Sequence, residues 1–267
     1  MSPKIAEFHR LHKSGCFVMP NPWDRGSAIY LQKLGFEALA TTSAGFAWSI
    51  GRPDNKVTLP QVLGHLKKIA TTVSVPVNAD FEGGFAREPQ GVAANVERAV
   101  STGIAGLSIE DSTGDKAEPL FDFQLSVERI MAARAAIDKT RSGVLLTGRS
   151  EGFIVGRPDL KETIKRLEAY AGAGADCLYS PGIRKPEDIA AVVKAVAPKP
   201  VNLLVYGNWI TVAQAAELGV RRISIGGALA KAAWNRLTTT AQEIAEKGTF
   251  DGLAWSGAPI DLNGLFR

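Results

Sequence analysis

The chain has 267 residues, of which 45% are hydrophobic and 22% are charged, close to the average for a globular protein. Its formal net charge is only +4, and the charges are interspersed without a basic run, so we expect neither a nucleic-acid nor a membrane partner. The chain has only two cysteines, and they lack metal-ligand spacing, so we expect neither a disulfide framework nor a Cys/His zinc site. It has no apolar run of about 18 residues and no apolar signal core, so we expect a cytoplasmic protein without a membrane span.

Eight short runs of apolar and β-branched residues predict β-strands. They begin roughly 20 to 37 residues apart, which is about the span of a strand plus a crossover helix. Most are apolar throughout, as in parallel strands that are covered on both faces. The runs are Cys16–Met19, Ala38–Thr42, Val75–Asp80, Gly106–Asp111, Gly143–Arg149, Cys177–Pro181, Val201–Tyr206 and Arg222–Gly226.

Between these runs, apolar residues recur at three- and four-residue spacing, which predicts helices. One helix is expected after the capping residue Asp159, with Glu162 three positions on and Gly174 near its end. Pro186 begins another helix, and Thr211 caps a further one. This alternation predicts a single (β/α)8 barrel of the TIM type spanning residues 1–267. A doubly wound open sheet is the alternative, disfavoured because no GxGxxG follows the first strand.

Charged residues follow three neighbouring strands at the end where a β/α barrel carries its active site. Asp80 and Glu82 follow the third strand, Glu110 the fourth and Arg149 the fifth. Carboxylates gathered in a low-dielectric pocket repel one another, so positive charge must offset them. Arg149 supplies part of it, and Mg²⁺, with Mn²⁺ as a substitute, fits the rest because it needs only one or two carboxylates. The alternative is a set of rim carboxylates paired with arginines.

In the magnesium hypothesis, Asp80 is a direct ligand, and Glu82 and Glu110 hold metal-bound waters. The remaining polar residues expected near the strand ends are Asp111 at the fourth strand, Glu151 after the fifth, Tyr179 and Ser180 at the sixth, and Tyr206 and Asn208 at the seventh.

The segment "SAGFAWSIGRPD", residues 43–54, follows the second strand. Its small residues Ser43, Ala44 and Gly45 would let backbone N–H groups approach a ligand closely. A glycine and a proline then set a turn that presents Asp54. An ordinary βα loop with a helix-capping aspartate is the alternative.

Six segments, in this order, resemble the isocitrate lyase/phosphoenolpyruvate mutase superfamily from about Met19 to Gly227. They read "NPWDRGSA", "TTSAGFAWSIGRPD", "NADFEGGF", "GLSIEDS", "LTGRSEGF" and "GADCLYSPG". The resemblance implies a Mg²⁺-dependent barrel that acts on small 2-oxo acids or related carboxylates. It also implies that a C–C or P–C bond next to a carbonyl is broken or formed through an enolate-like intermediate.

The resemblance also implies roles for individual residues. Asp80 would bind the metal directly, Glu82 would replace the more common aspartate at its position, and Glu110 would support the metal from farther out. Arg149 and Asp54 would be catalytic, and the substrate would be bound by Ser43, Ala44, Gly45 and Arg149. The superfamily exchanges its last barrel helix between subunits, so the helix at 228–246 and the whole segment 228–267 are expected in the contacts of a homodimer or homotetramer.

One segment departs from the superfamily pattern. The lid region "EDSTGDKAEPLFDF", residues 110–123, lacks the cysteine and histidine of the isocitrate and methylisocitrate lyases and the asparagine of the mutases. Loss of carbon dioxide needs no acid to protonate the leaving group. We therefore expect a lyase or decarboxylase acting on an oxaloacetate-like 2-oxo carboxylate.

Three alternatives remain open. One is a P–C bond hydrolase or mutase of the phosphonopyruvate type, and another is a barrel that binds a 2-oxo acid without turning it over. The third is a phosphate-binding barrel of another superfamily, suggested by "SIGGAL" at residues 224–229, whose backbone amides could hold a phosphate.

Overall fold

A computed structural model describes residues 1–254 and 260–267. Eight parallel strands form one sheet, and every predicted strand is present. The paired segments are shorter than the predicted runs because the chain leaves the sheet early to begin the next loop or helix. Thr42, for example, already caps a helix. The strands are β1 (Phe17–Met19), β2 (Leu39–Ala40), β3 (Val77–Asp80), β4 (Gly106–Glu110), β5 (Leu145–Arg149), β6 (Cys177–Tyr179), β7 (Val201–Leu204) and β8 (Arg222–Ser224).

The strand order is that of a nearly closed barrel. From β2 to β8 each strand pairs with its successor in the chain, and β8 pairs with β1. Between β1 and β2, the Ala40 N–H donates to Pro20 O over 3.0 Å, and Asn21 Nδ2 donates to Thr41 O over 2.8 Å. A sheet joined all the way round in chain order is the (β/α)8 barrel, so this prediction is confirmed and the open doubly wound sheet is excluded.

Helices alternate with the strands as predicted. Asp159 caps its helix by accepting from the Glu162 N–H, Pro186 is the first residue of its helix, and Thr211 forms a reciprocal cap with Gln214. The helices of the described residues are α1 (Pro3–Leu11), α2 (Arg25–Lys33), α3 (Ser43–Ser49), α4 (Leu59–Thr72), α5 (Pro89–Val100), α6 (Phe123–Thr140), α7 (Leu160–Gly172), α8 (Pro186–Val196), α9 (Val212–Glu217), α10 (Ala228–Lys247) and α11 (Leu262–Leu265).

Helix α1 covers the N-terminal end of the barrel. Phe8 is fully buried, and its ring centroid lies 6.4 Å from that of Phe17 at the start of β1. His12, just beyond α1, packs edge-on against both rings, at 4.5 and 5.2 Å. This aromatic group closes the bottom of the barrel, so ligands have access from the opposite, C-terminal end.

The barrel interior is unusually polar for a buried core. Six strand residues with polar side chains are at most 6% exposed, and they are Asn78, Ser108, Thr147, Asn202, Arg222 and Ser224. The hydrophobic core lies mostly between the outer face of the sheet and the helices. The polar interior leads directly to the end of the barrel where Asp80 and Arg149 lie.

The last long helix, α10, ends one residue later than predicted. A 3-10 turn at Asp251–Leu253 folds back on it, and Glu243 accepts from the Asp251 and Gly252 N–H groups, both over 2.7 Å. Part of the segment predicted to contact other subunits, residues 255–259, lies outside the described residues. No helix in the described ranges has the length and apolar character needed to cross a bilayer.

Candidate active site

One arginine lies at the centre of the predicted site. Arg149 ends β5, and its Nη1 lies 3.1 Å from Asp80 Oδ1 and 3.2 Å from Glu110 Oε2. Its Nε donates to Glu151, and its guanidinium lies 5.2 Å from the centroid of the Tyr179 ring. The strand register explains the meeting, because Glu110 and Tyr179 are directly opposite Arg149 on β4 and β6. A single guanidinium thus contacts the carboxylates of three side chains.

Asp80 is held at both carboxylate oxygens. Oδ1 accepts from Arg149, and Oδ2 accepts from the Ser43 backbone N–H over 2.9 Å. Ser43 is the first residue of α3, where a backbone N–H has no partner within the helix. The Asp80 N–H in turn donates to Thr41 Oγ1 over 3.0 Å. The orientation of this carboxylate is therefore fixed before any ligand binds.

If all the acids around Arg149 were ionised, their negative charge would exceed what this arginine offsets, and three of them respond with a raised pKa. Burial, followed by the charges of Asp80 and Asp54, raises the pKa of Glu82 to about 8. Burial raises the pKa of Glu110 well above its usual value despite the nearby Arg149. Asp54 also has a raised pKa, from loss of solvation and then from Asp80. A cation entering the site would relieve this repulsion.

The donor set fits a hard cation that is held mainly by water and substrate. Within residues 1–254 and 260–267, no three His, Cys, Asp or Glu side chains converge closely enough to enclose a metal ion. Mg²⁺ does not require such a cage, because it keeps several waters and binds through one or two carboxylates. Asp80 as the direct ligand, with Glu82 and Glu110 reached through water, is compatible with this arrangement.

A cavity of about 180 Å³ opens beside this cluster. Among the predicted site residues it is lined by Ser43, Ala44, Asp54, Asp80 and Arg149. A neighbouring cavity of about 550 Å³ adds Glu82 and Glu110, together with Asp115 and Lys116 of the lid region. The structure thus gathers every predicted site residue except Gly45 around two adjoining cavities.

Gly45 lies behind the cavity wall. Its N–H donates to Thr42 Oγ1 over 3.2 Å, and the residue is buried. A Cβ atom added there would come within 2.6 Å of Thr42 Cγ2 and 3.1 Å of Trp23 Cβ. The contacts of this glycine are those of close packing, and they leave Ser43 and Ala44 to face a ligand.

Asp111, the last residue of the fourth predicted strand, makes hydrogen bonds that support the neighbouring turn. Its Oδ1 accepts from the Glu151 N–H over 2.7 Å. Its Oδ2 accepts from the Tyr170 hydroxyl over 2.7 Å and from Arg166 Nη1 over 3.2 Å. Asp111 is 1% exposed and holds the turn that carries Glu151 beside Arg149.

The seventh strand is present, but the two polar residues expected at its end line neither cavity. Because β7 ends at Leu204, Tyr206 and Asn208 lie beyond it and are exposed. The Tyr206 ring stacks with Arg184 at 4.8 Å. The cavity is lined instead by residues inside the strands, namely Asn78, Ser108, Asn202, Arg222 and Ser224. A polar residue within an otherwise apolar strand was the available signal for these positions.

The lid region forms a short exposed loop above the acids. Ser112 and Leu120 make an antiparallel bridge at its base, and the Thr113 hydroxyl donates to Glu118 O. Asp115 and Lys116 are exposed at its tip and line the larger cavity.

Comparison with known proteins shows the family of the chain. Residues 8–245 match the phosphoenolpyruvate phosphomutase family. An oxaloacetate decarboxylase of Pseudomonas savastanoi pv. phaseolicola is 31% identical over 78% of this chain and 73% of its own. A 2-methylisocitrate lyase of Aeropyrum pernix is 28% identical over 90% of this chain and 79% of its own.

A crystal structure shows the same fold at higher identity. It is a Burkholderia cenocepacia J2315 protein described as a lyase/mutase, with 43% identity, a TM-score of 0.94 and coverage of 98% of this chain and 96% of the other. The chain therefore belongs to the phosphoenolpyruvate phosphomutase family, within the isocitrate lyase/phosphoenolpyruvate mutase superfamily.

Proposed function

We propose that the protein is a Mg²⁺-dependent carbon–carbon lyase or decarboxylase for a small, oxaloacetate-like 2-oxo carboxylate. The observation that carries the proposal is the position of Arg149 between Asp80 and Glu110 at the mouth of the cavity. The similar proteins include carbon–carbon lyases and an oxaloacetate decarboxylase, which supports an enzyme of this class.

Breaking a bond next to a carbonyl leaves negative charge on the carbonyl oxygen as an enolate forms. A bound magnesium ion would supply polarisation of that carbonyl. Asp80 would hold the ion directly, and Glu82 and Glu110 would fix its waters. Arg149 lines the same cavity, and we assign its guanidinium to the developing enolate charge, which it would stabilise more in the transition state than in the ground state.

The first turn of α3 would orient the substrate. The Ser43 N–H is committed to Asp80, so the next amide, that of Ala44, is the one left to bind a substrate carboxylate. Asp54 lines the same cavity, and we assign to its carboxyl group the transfer of a proton to or from the reacting group. Carbon dioxide leaves without receiving a proton, so this chemistry tolerates a lid without cysteine, histidine or asparagine.

The test is a substrate panel with and without chelator: oxaloacetate, phosphonopyruvate, methylisocitrate and dimethylmalate. Oxaloacetate loses carbon dioxide slowly in magnesium solutions, so each rate is taken above an enzyme-free blank and above the Asp80→Asn variant. Turnover of oxaloacetate that chelator abolishes supports the proposal. No turnover of any compound, or turnover indifferent to chelator, contradicts it.

Phosphonopyruvate chemistry is the second candidate. The match of residues 8–245 to the phosphomutase family favours it, although the lid has no asparagine between Glu110 and Phe123. Release of phosphate or formation of phosphoenolpyruvate in the same panel identifies this activity. Magnesium-dependent binding without any product, measured by calorimetry, identifies a binding protein instead.

We also propose that α10 contacts a second copy of the chain in a homodimer or homotetramer. Leu229, Trp234 and Leu237 lie toward one side of this helix and are 37%, 39% and 56% exposed. Phe250 and Leu253, which follow the helix, are more than 60% exposed. Apolar side chains grouped in this way are typical of a protein interface.

A further inference from the structure

A second arginine lies in the barrel interior beneath Arg149. Arg222 is the first residue of β8 and is only 1% exposed, yet it lines the same cavity as Asp80 and Arg149. The Arg149 site makes no use of it.

Every hydrogen-bond partner of Arg222 is a neutral group. Its Nε donates to Asn202 Oδ1 over 2.8 Å, and its Nη2 donates to Thr147 Oγ1 over 3.0 Å. Its Nη1 lies 3.2 Å from His12 Nε2. The Nδ1 of that histidine lies 2.7 Å from Phe8 O and donates to it, so Nε2 is the acceptor. Burial and the nearby Arg222 charge lower the pKa of His12 to about 3, which keeps the ring neutral.

Arg222 therefore has a buried charge and spare donors. A guanidinium carries five N–H groups, and three are used by Asn202, Thr147 and His12. Within the described ranges, no carboxylate lies within 4 Å of Arg222, whereas Arg149 and Arg166 both have such partners. A buried charge without a counter-ion is costly, so this environment favours binding of an anion.

The spacing of the two arginines suits a small dianion. Thr147, which Arg222 contacts, precedes Arg149 by two residues on β5, and two strand residues span about 6.6 Å. Both arginines and Asp80 line one cavity of about 180 Å³. A molecule of a few carbons with an acidic group at each end would reach from the mouth to the floor.

We propose that Arg222, oriented by Thr147 and Asn202, binds a second carboxylate of the substrate at the floor of the cavity. The inference rests on the proposed function and narrows it to dianionic substrates. Arg222 is then a specificity-determining residue that discriminates a dicarboxylate from a monocarboxylate of the same length.

A matched pair of ligands tests this. Racemic malate and racemic 2-hydroxybutyrate differ only by a carboxylate in place of a methyl group, and neither is a 2-oxo acid. Both are titrated calorimetrically into the full-length protein with excess Mg²⁺. A hydrogen bond to a charged group contributes about 1.5 to 3 kcal/mol, so we expect the wild type to bind malate about 10- to 100-fold more tightly.

In Arg222→Met, we expect this preference to fall to within about threefold while the affinity for 2-hydroxybutyrate stays the same. The control is Arg134→Met, which removes a largely buried arginine that contacts Asp138 and Asp176, and it should keep the full preference. A preference retained in Arg222→Met overturns the inference. Should that variant not fold, the wild-type ratio decides, since equal affinities for the two ligands also overturn it.

The outcomes separate this inference from the proposed function. Magnesium-dependent binding of both ligands with equal affinity contradicts the role of Arg222 and leaves the Asp80 site standing. Absence of magnesium-dependent binding for either ligand contradicts both.

Discussion

Arg149 and Asp80 are 69 residues apart in the chain, and they meet where Nη1 of the arginine donates to Oδ1 of the aspartate over 3.1 Å. The same nitrogen lies 3.2 Å from Glu110, so this arginine offsets charge from β3 and β4 at once. Burial raises the pKa of Glu110 and of Glu82 even so. The site therefore has an excess of acid, which suits a cation-dependent reaction.

Asp80→Asn tests the metal ligand. The amide keeps the shape of the side chain but loses the charge, so the affinity for Mg²⁺ should fall at least tenfold in isothermal titration calorimetry. Asp138→Asn, at an exposed position on α6, is the control and should bind Mg²⁺ like the wild type. Equal affinities in the two variants would show that Asp80 is not a ligand.

Arg149→Met tests the balance of charge in the site. It leaves Asp80, Glu110 and Glu151 without their shared cation, and loss of one partner of a buried ion pair costs about 3 to 5 kcal/mol. We expect a lower free energy of unfolding in chelator, partly recovered by excess Mg²⁺. Arg149→Lys keeps a charge and should lose less. A variant as stable as the wild type in chelator would contradict this account.

Asp111→Asn tests the support beneath Glu151. The carboxylate accepts from Glu151 N–H, Tyr170 and Arg166, and the amide cannot accept at both ends. Because the group is buried, we expect a loss of about 2 to 4 kcal/mol in urea denaturation. Asp115→Asn, on the exposed lid, should change stability by less than about 0.5 kcal/mol. Similar stabilities for the two variants would remove the structural role of Asp111.

The sequence was sufficient to predict the barrel because its signals are local. Apolar runs, the cap at Asp159 and the proline at Pro186 each report on a few neighbouring residues. Eight repeats of a strand followed by a helix are then compatible with few topologies. The strand ends were less predictable, since whether Tyr206 still pairs depends on contacts made by the neighbouring strands.

Site residues that stand at the end of a strand could be predicted from the sequence, whereas polar site residues inside a strand could not. Asp80, Glu110 and Arg149 stand at strand ends, and the barrel topology brings them together. Asn202 and Arg222 lie within strands, where the linear pattern does not show which side chains point into the barrel. Their meeting depends on the register of β7 and β8, which places them opposite each other.

His65→Phe tests a buried histidine. His65 stacks on Phe46 at 3.9 Å, and burial, followed by Lys68, lowers its pKa to about 4, below the unfolded value of about 6.5. Because the unfolded state binds the proton more tightly, the contribution of His65 to stability is fully present above pH 6.5. It is lost as the pH falls toward 4, by up to about 3 kcal/mol.

The phenylalanine keeps the stacked ring without this titration. Urea denaturation from pH 7 to 4 should therefore show a shallower loss of stability in His65→Phe than in the wild type. Parallel pH profiles for the two proteins would contradict the assignment.

Leu237→Glu tests the proposed contact between copies. Leu237 is the most exposed of the three apolar residues Leu229, Trp234 and Leu237 on α10, so a carboxylate there should dissociate the assembly. The mass of the assembly is measured by light scattering after size exclusion. Thr239→Glu adds the same charge on the opposite side of the helix and should leave the assembly intact. A monomeric wild type, or an unchanged mass in Leu237→Glu, would contradict the contact.

The central claim is that the acids around Arg149 hold a divalent cation next to a 2-oxo acid. Crystals of the protein soaked with Mn²⁺ and 2-oxobutyrate would test it most directly through the anomalous signal of the metal. The account predicts one strong peak within coordination distance of an Asp80 carboxylate oxygen, with the 2-oxo acid beside it. A site without metal under saturating Mn²⁺, with Asp80 still bound to Arg149 and Ser43, would contradict it.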